Sequence, residues 1–242
     1  MSATTLDILA IAAHRDDVEQ TCGGTLLKAV QRGQRTGILD LTQGEMGTRG
    51  TAEDRAREAA DAAKILGAGW RRALDIPDGR VENTWENRLK VASVIRETRP
   101  RVVILPYWKG RHPDHYTCSV LGYEACFLAG LRKLALGSQP VAPHRPFKII
   151  YATLYYDVRP TFVVDITQQF EQKFASILAY KSQFSDQEAG KDLFPAHDEI
   201  HARVESMARY YGALGGVTYA EPFLQKEVGL VDDLLAIPVK SI

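Results

Sequence analysis

Three histidines and three aspartates fall in two short stretches, A-H-R-D-D-V-E at Ala13 to Glu19 and R-H-P-D-H at Arg111 to His115. Imidazole nitrogens and carboxylate oxygens are the ligands that catalytic zinc takes, usually from a small protein set that leaves a position open for water. His14 and Asp17, three apart in one tight turn, can face the same centre as a chelating pair, and His115 closes the set from the second stretch. Asp16 is then the carboxylate left beside the metal, where a general base is needed. His112 is placed to donate to the oxyanion that develops during acyl attack, and Asp114 to orient a neighbouring imidazole. The donor types do not fix the metal, because iron or cobalt suits the same ligands as zinc. Taken singly, each aspartate reads equally well as a helix cap or turn residue. Two clusters that each follow a strand pattern make coincidence the weaker explanation.

A rival pair of histidines lies in H-D-E-I-H, His197 to His201, with the i, i+4 spacing of the H-E-x-x-H metalloproteases. Its second residue is an aspartate, one methylene shorter than the glutamate base, and no strand end precedes it. A solvated helix start is the better reading.

The elements that must position these residues alternate strand and helix. Leu6 to Ala13 is an apolar run ending where the first cluster begins, and Val102 to Leu105 is another before the second. Between them we expect a helix opening at Gly23-Gly24 and a strand over Thr36–Leu41. A helix over Ala52–Leu66 stops at Gly67, a short strand covers Ala73–Ile76, and a helix covers Glu86–Glu97. A further helix is expected over Thr117–Leu134. Repeated β-α units imply a Rossmann-like parallel sheet flanked by helices, whose ligands bind at the carboxyl ends of the strands. Neither G-x-G-x-x-G nor a P-loop follows the first strand, which argues against a nucleotide site. Beyond the connector Gln139 to Pro146 the pattern gives strands over Ile149–Tyr156 and Thr161–Ile166, then helices over Gln168–Tyr180 and Glu199–Leu214. The whole is expected to be one domain, with a core over 1–135 carrying the site and an extension over 147–242 walling it.

The 242 residues carry 30 basic and 30 acidic side chains, a formal charge of zero, which gives no basic surface for nucleic acid or for a membrane. Three cysteines without metal-ligand spacing fit a reducing interior, and no apolar run reaches the length of a membrane span. The expectation is a cytoplasmic protein.

These motifs resemble the LmbE-like N-acetylglucosaminyl deacetylases, the PIG-L family, whose hallmarks are A-H-P-D-D-x-E after the first strand and a later H-P-D-H. Segments such as D-L-T-Q-G-E-M-G-T-R-G-T (Asp40 to Thr51), I-P-D-G (Ile76 to Gly79) and Y-A-E-P-F (Tyr219 to Phe223) are most similar to the bacillithiol-biosynthesis deacetylases. The resemblance implies zinc held by His14, Asp17 and His115, Asp16 as the base, and His112 stabilising the tetrahedral intermediate. It implies hydrolysis of the acetamide of an N-acetylglucosamine conjugate, with N-acetylglucosaminyl malate first and diacetylchitobiose as an alternative. A non-catalytic sugar-binding module is the remaining alternative, opposed by the presence of Asp16 and His112. Relatives of this type also suggest a homo-oligomer. Arg55 matches a family arginine that contacts substrate, and Arg49, Lys109 and Arg111 are candidate cations for an anionic aglycone. Arg15 departs from the family pattern, standing where relatives carry proline. We expect its side chain to face away from the metal, so that proline there would stabilise the fold by about 0.4–1 kcal/mol through the unfolded chain.

Overall fold

The computed structural model describes residues 5–136, 141–154, 156–184 and 197–239. Among them the elements run β1 (Ile8–Ala12), α1 (Asp17–Gln31), β2 (Thr36–Asp40), α2 (Ala52–Leu66), β3 (Trp70–Ala73), α3 (Trp85–Thr98), β4 (Val102–Pro106) and α4 (Pro113–Ala129). The chain continues with β5 (Lys148–Ala152), β6 (Phe162–Asp165), α5 (Phe170–Leu178), α6 (Lys181–Phe184), α7 (His197–Gly215) and β7 (Ala220–Leu224).

The seven strands form a single sheet in the order β3-β2-β1-β4-β5-β7-β6. The first five are parallel, as their β-α connections require, and β7 runs antiparallel to both β5 and β6. The fold is therefore a mixed α/β sheet flanked by helices rather than a purely parallel one. Side chains alternate across a strand, so each buried strand feeds two cores. Leu9 and Ile11 of β1 join Leu39, Val103, Leu105 and residues of α3 and α4 on one face. Ala10 and Ala12 join Ile38, Ile104 and the apolar side of α1 on the other.

Helix α2 has the predicted bounds, and local chemistry explains why. Thr51 accepts from the Asp54 backbone N–H while Asp54 accepts from that of Thr51, and Gly67 ends the helix at φ 69°. Helix α1 departs from expectation. It begins at Asp17 rather than near Gly23 and breaks its helical dihedrals at Cys22. The break frees backbone donors, and the Glu221 carboxylate of β7 takes them, accepting from Gly24 N–H at 2.9 Å and Thr25 N–H at 2.7 Å. Lys173 of α5 neutralises that carboxylate at 2.6 Å and also donates to the Gln20 carbonyl at 2.8 Å. A Cβ on Gly24 would come within 2.9 Å of Ile166, so glycine is what lets α1 approach the strand.

β1 lies between β2 and β4, and the chain moves outward from it in both directions. The sheet thus reverses its winding between β1 and β4, and in open α/β sheets ligands bind in the crevice outside the strand ends at that place. The two histidine–aspartate clusters follow β1 and β4. No described helix is long and apolar enough to cross a membrane.

Candidate metal centre and active site

Both clusters are helix N-termini. Asp16 is the residue preceding α1, and Asp17 begins it. His112 caps α4, its Nδ1 accepting from the Asp114 backbone N–H at 3.2 Å, and Pro113 occupies the first helical position, where a missing N–H costs nothing. Two helix ends thus turn their partial positive charges toward one crevice.

There the chain brings together the three residues expected to hold a metal. His14 Nδ1 lies 3.1 Å from His115 Nε2, Asp17 Oδ1 lies 3.2 Å from His115 Nε2, and Asp17 Oδ2 lies 3.4 Å from His14 Nδ1. Donors about 2.0–2.1 Å from a tetrahedral ion sit about 3.3–3.4 Å from one another, so these separations match one face of such a site. Two imidazole nitrogens facing each other beside a buried carboxylate are also a donor set that calls for a shared cation. Other groupings with donor atoms within 4.8 Å exist, His14 with His112 and His115, and His14 with Asp78 and Asp114. Their additional members hold backbone donors too, His112 at Nδ1 from Asp114 N–H, as Asp17 Oδ2 does from His14 N–H at 2.9 Å. Asp78 accepts from Met46 N–H, and Asp114 from Gly79 and Val81 N–H. These two carboxylates approach the other ring nitrogen of His14, Nε2, at 3.1 and 3.4 Å. This is the arrangement that fixes a ligand's tautomer and raises its basicity. Nothing in the sequence singles out Asp78, because in I-P-D-G it looks like turn punctuation.

The electrostatics follow from burial and crowding. Burial opposes charge on His14, but Asp17, Asp114 and Asp78 together push its pKa up to about 12. Burial likewise opposes charge on His115, and Asp17 overcomes it, so that pKa is raised too. Burial would raise the Asp17 carboxyl, yet the two facing imidazoles hold it well below the usual carboxylate range. Protons and a metal compete for the same lone pairs, so metal uptake must release protons. We expect metal affinity to rise with pH across the neutral range, and calorimetric titrations in buffers of different ionisation enthalpy to report proton release. Uptake with no proton release would contradict this arrangement.

His112 shifts the other way. Burial and the neighbouring His14 and His115 hold its pKa below the ordinary value. With Nδ1 engaged as an acceptor, the neutral ring carries its proton on Nε2 and can donate from there. Its ring lies 4.7 Å from that of His14 and 4.9 Å from that of His115, centroid to centroid.

Asp16 stands beside the triangle, its Oδ1 3.0 Å from Arg55 Nη2 and its Oδ2 3.3 Å from Gln20 Nε2. Arg55 is only 5% exposed, so it is not a helix-surface charge. Its guanidinium is tucked beneath the Gly44–Thr51 loop, where Gly44 has φ +74° and a Cβ would fall 2.8 Å from Arg55 Nη1. The structure directs Arg55 at Asp16. Arg49 is equally buried, donating to the Gln183 carbonyl at 2.9 Å, and Arg111 is exposed just before His112. The cleft next to the triangle is lined by Asp17, His115, Tyr107, Lys109, Gly110 and Leu154. Of the candidate cations for an anionic aglycone, Lys109 is the one that lines it.

A buried network braces the first turn from behind. Arg71 of β3 grips both oxygens of Asp40 at 2.8 and 3.0 Å, reaches Glu19 at 2.6 Å and donates to the Arg15 carbonyl. Tyr180 donates to the same carbonyl and lies 3.1 Å from Glu19 Oε1. Burial raises the Glu19 pKa to about 7 against the pull of Arg71. None of these partners is legible as a group in the sequence, since Glu19, Asp40, Arg71 and Tyr180 come from four separate elements or loops.

Arg15 itself corrects an expectation. Its side chain turns to α2 and not to the triangle but is 7% exposed, and Nη1 donates to the Ala52 carbonyl at 2.5 Å. It ties the turn to the first residue of α2. Arg15→Pro is therefore expected to destabilise the protein, by about 1–3 kcal/mol for a lost hydrogen bond to a charged donor, in place of the small gain expected from chain entropy. Urea unfolding of the two proteins measures the difference.

The rival histidine pair is not assembled in any described contact. The side chain of His197 lies outside the described residues, while His201 packs edge-on against Phe174 and sits 3.6 Å from Glu205. The cysteines Cys22, Cys118 and Cys126 are free and buried.

Fold and site together define a hydrolase-type centre on an α/β sheet, with a histidine–aspartate–histidine triangle suited to a metal at the sheet's switch point. Comparison with known proteins gives the family. Residues 9–126 match the model for PIG-L, GlcNAc-PI de-N-acetylase. The chain is 33% identical over 225 residues to the diacetylchitobiose deacetylase of Thermococcus kodakarensis, covering 88% of this chain and 80% of that protein. Among solved structures it superposes on the conserved protein TT1542 of Thermus thermophilus with a TM-score of 0.83 at 42% identity, covering 94% and 98% of the two chains. It also superposes on the N,N'-diacetylchitobiose deacetylase of Pyrococcus horikoshii with a TM-score of 0.79 at 26% identity, covering 92% and 83%. The chain belongs to the PIG-L (LmbE-like) deacetylase family and is a hydrolase acting on N-acetyl amides.

Proposed function

We propose that this protein is a zinc-dependent N-deacetylase that hydrolyses the acetamide of an N-acetylglucosamine conjugate to the free amine and acetate. The observation that carries the reading is the triangle of His14, Asp17 and His115 donors, with Asp16 and His112 beside it. In this reading the three residues hold the cation, and the domain over 1–242 comprises a core, 1–135, with the extension 147–242 walling the site. The free, buried cysteines support a reducing compartment.

A bound zinc ion supplies Lewis-acid polarisation of the acetyl carbonyl and a lowered pKa for the attacking water. Asp16, steadied by Arg55, takes the proton from that water as it attacks. His112 donates its Nε2–H to the oxygen that becomes negative, where the two helix N-termini add favourable potential. Asp16 then returns the proton to the departing sugar nitrogen as the C–N bond breaks.

For the conjugate, the named activities of the archaeal relatives support a disaccharide of the N,N'-diacetylchitobiose type. The second reading is N-acetylglucosaminyl malate, favoured by Lys109 on the cleft wall, a cation suited to an anionic aglycone. Amine release from these two compounds and from free N-acetylglucosamine, compared as kcat/KM, separates them. The better conjugate should exceed the free sugar by about tenfold or more, the value of one additional good contact. No release from any of the three, with metal bound, would overturn the reading.

A further inference from the structure

We propose that this active site also hydrolyses N-propanoyl and N-butanoyl amino sugars, the longer acyl chain entering an apolar pocket behind the triangle of His14, Asp17 and His115. The inference rests on the deacetylase reading and names the acyl groups that the site accepts.

The pocket begins where two strands part. β1 and β4 pair from Ile8–Val102 to Ala10–Ile104, while β1 runs on to Ala12 and β4 to Pro106. Facing α1 beside this gap are Ala10 and Ala12 of β1, two apart and so on one face, with Ile104 of β4 and Ala152 of β5. Three of the four are alanines, whose methyl groups leave space that a larger side chain would fill. Val18 and Cys22, one turn apart, cover that space from α1, and Cys22 is the residue at which the helix leaves helical dihedrals. Asp17 and His115 stand at its outer end, so the pocket opens on the triangle.

The lining decides what enters. Besides Asp17 and His115 the one ionisable side chain on this wall with charge at neutral pH is Lys109, exposed at the rim. The Thr21 hydroxyl is engaged by the Asp17 carbonyl at 2.8 Å. Such a cavity gives water few partners and suits an apolar group. A sugar ring there would leave its hydroxyls unpaired, so the sugar belongs at the rim with Tyr107 and Lys109. The acyl chain and the amino sugar leave the carbonyl carbon in opposite directions, so a sugar outside turns the chain inward.

Size then sets the chain length. The pocket holds about 30 Å³. One group of water size needs about 10–15 Å³ of such space, so about two or three fit. Those are the carbons beyond the carbonyl in propanoyl and butanoyl. The hydrolysis is unchanged: the water oxygen bonds to the acyl carbon and the C–N bond breaks. The products are the carboxylate and the protonated amine, with water as the only co-reactant.

Amine release from N-acetyl, N-propanoyl, N-butanoyl and N-octanoyl forms of the better conjugate tests this on the zinc-loaded protein. Propanoyl and butanoyl should keep kcat/KM within about tenfold of acetyl, and octanoyl should fall by about 10²-fold or more through overpacking. By calorimetry, butanoate should bind about tenfold more tightly than acetate, from two further buried methylene groups. Ala10→Val and Ala152→Val fill the pocket from two strands, and each should lower the butanoyl-to-acetyl ratio of kcat/KM by about tenfold or more. If neither variant folds, the wild-type series and the calorimetry decide. Acetyl turnover with propanoyl and butanoyl slower by more than about tenfold overturns the pocket and leaves the deacetylase reading standing. Octanoyl cleaved as fast as butanoyl, equal binding of the two carboxylates, or an unchanged ratio in folded valine variants overturns it as well. No turnover of the acetyl form sinks the deacetylase reading, and this inference with it.

Discussion

His14→Ala and His115→Ala are each expected to reduce bound divalent metal from about one ion per chain to background, and to remove deacetylase activity with it. The triangle offers three protein donors. Two would remain after either change, too few for a catalytic zinc site. The loss differs in kind from a change at the supporting carboxylates. Asp114→Asn keeps all three donors, weakens the hold on His14 Nε2 and gives up one of the bonds from Gly79 and Val81 N–H, so a loss of about 10–100-fold in metal affinity is expected there. Metal analysis after gel filtration distinguishes the cases. The His197→Ala/His201→Ala protein serves as the control and should keep its full metal content. Metal retained by His14→Ala/His115→Ala and lost from the control would move the centre to α7.

Asp16→Asn should leave the metal in place and lower kcat by about 10²-fold or more, the scale for removing a general base. The carboxamide has the same shape as the carboxylate, and its oxygen can still accept from Arg55, so geometry is preserved while basicity is lost. KM should therefore change little. This separation, metal kept and turnover lost, is what distinguishes a base from a ligand, and Asp16 adjoins Asp17 of the triangle in sequence. A near-normal kcat in Asp16→Asn would require another base, and among the described residues the structure places no second unligated carboxylate so close to the triangle without a backbone donor already on it.

The chemistry-bearing residues were legible because strand ends and helix starts are local signals. An apolar run followed by H-x-x-D, and another followed by H-P-D-H, fixes where both clusters emerge from a parallel sheet. Helix α2 was legible to the residue for the same reason, with Thr51–Asp54 at one end and Gly67 at the other. What escaped depends on distant parts of the chain. The early start of α1 and its break at Cys22 persist because Glu221, from β7, satisfies the donors that the break exposes. Strand β7 has no counterpart among the expected elements, and it holds Pro222, a residue that interior strands exclude. The pairing explains the exception: β7 meets β5 only through Phe223 and Leu224, so Pro222 lies beyond the shared ladder on that side. Arg55 and Arg15 illustrate the same limit. Each side chain could be assigned to substrate, solvent or structure from its type alone, and only the approach of α2 to the first turn directs them to Asp16 and Ala52.

The central claim is that one metal ion, held by His14, Asp17 and His115, is required for removal of an acetyl group from an amino sugar. Acetate release from N,N'-diacetylchitobiose and from N-acetylglucosaminyl malate, measured on protein stripped by a chelator and then titrated with zinc, tests it most directly. The account predicts no acetate from the stripped protein and activity on at least one substrate that rises to a maximum at one equivalent of zinc. Full activity in protein verified to be free of metal, or one bound equivalent with no acetate from either sugar, would contradict it.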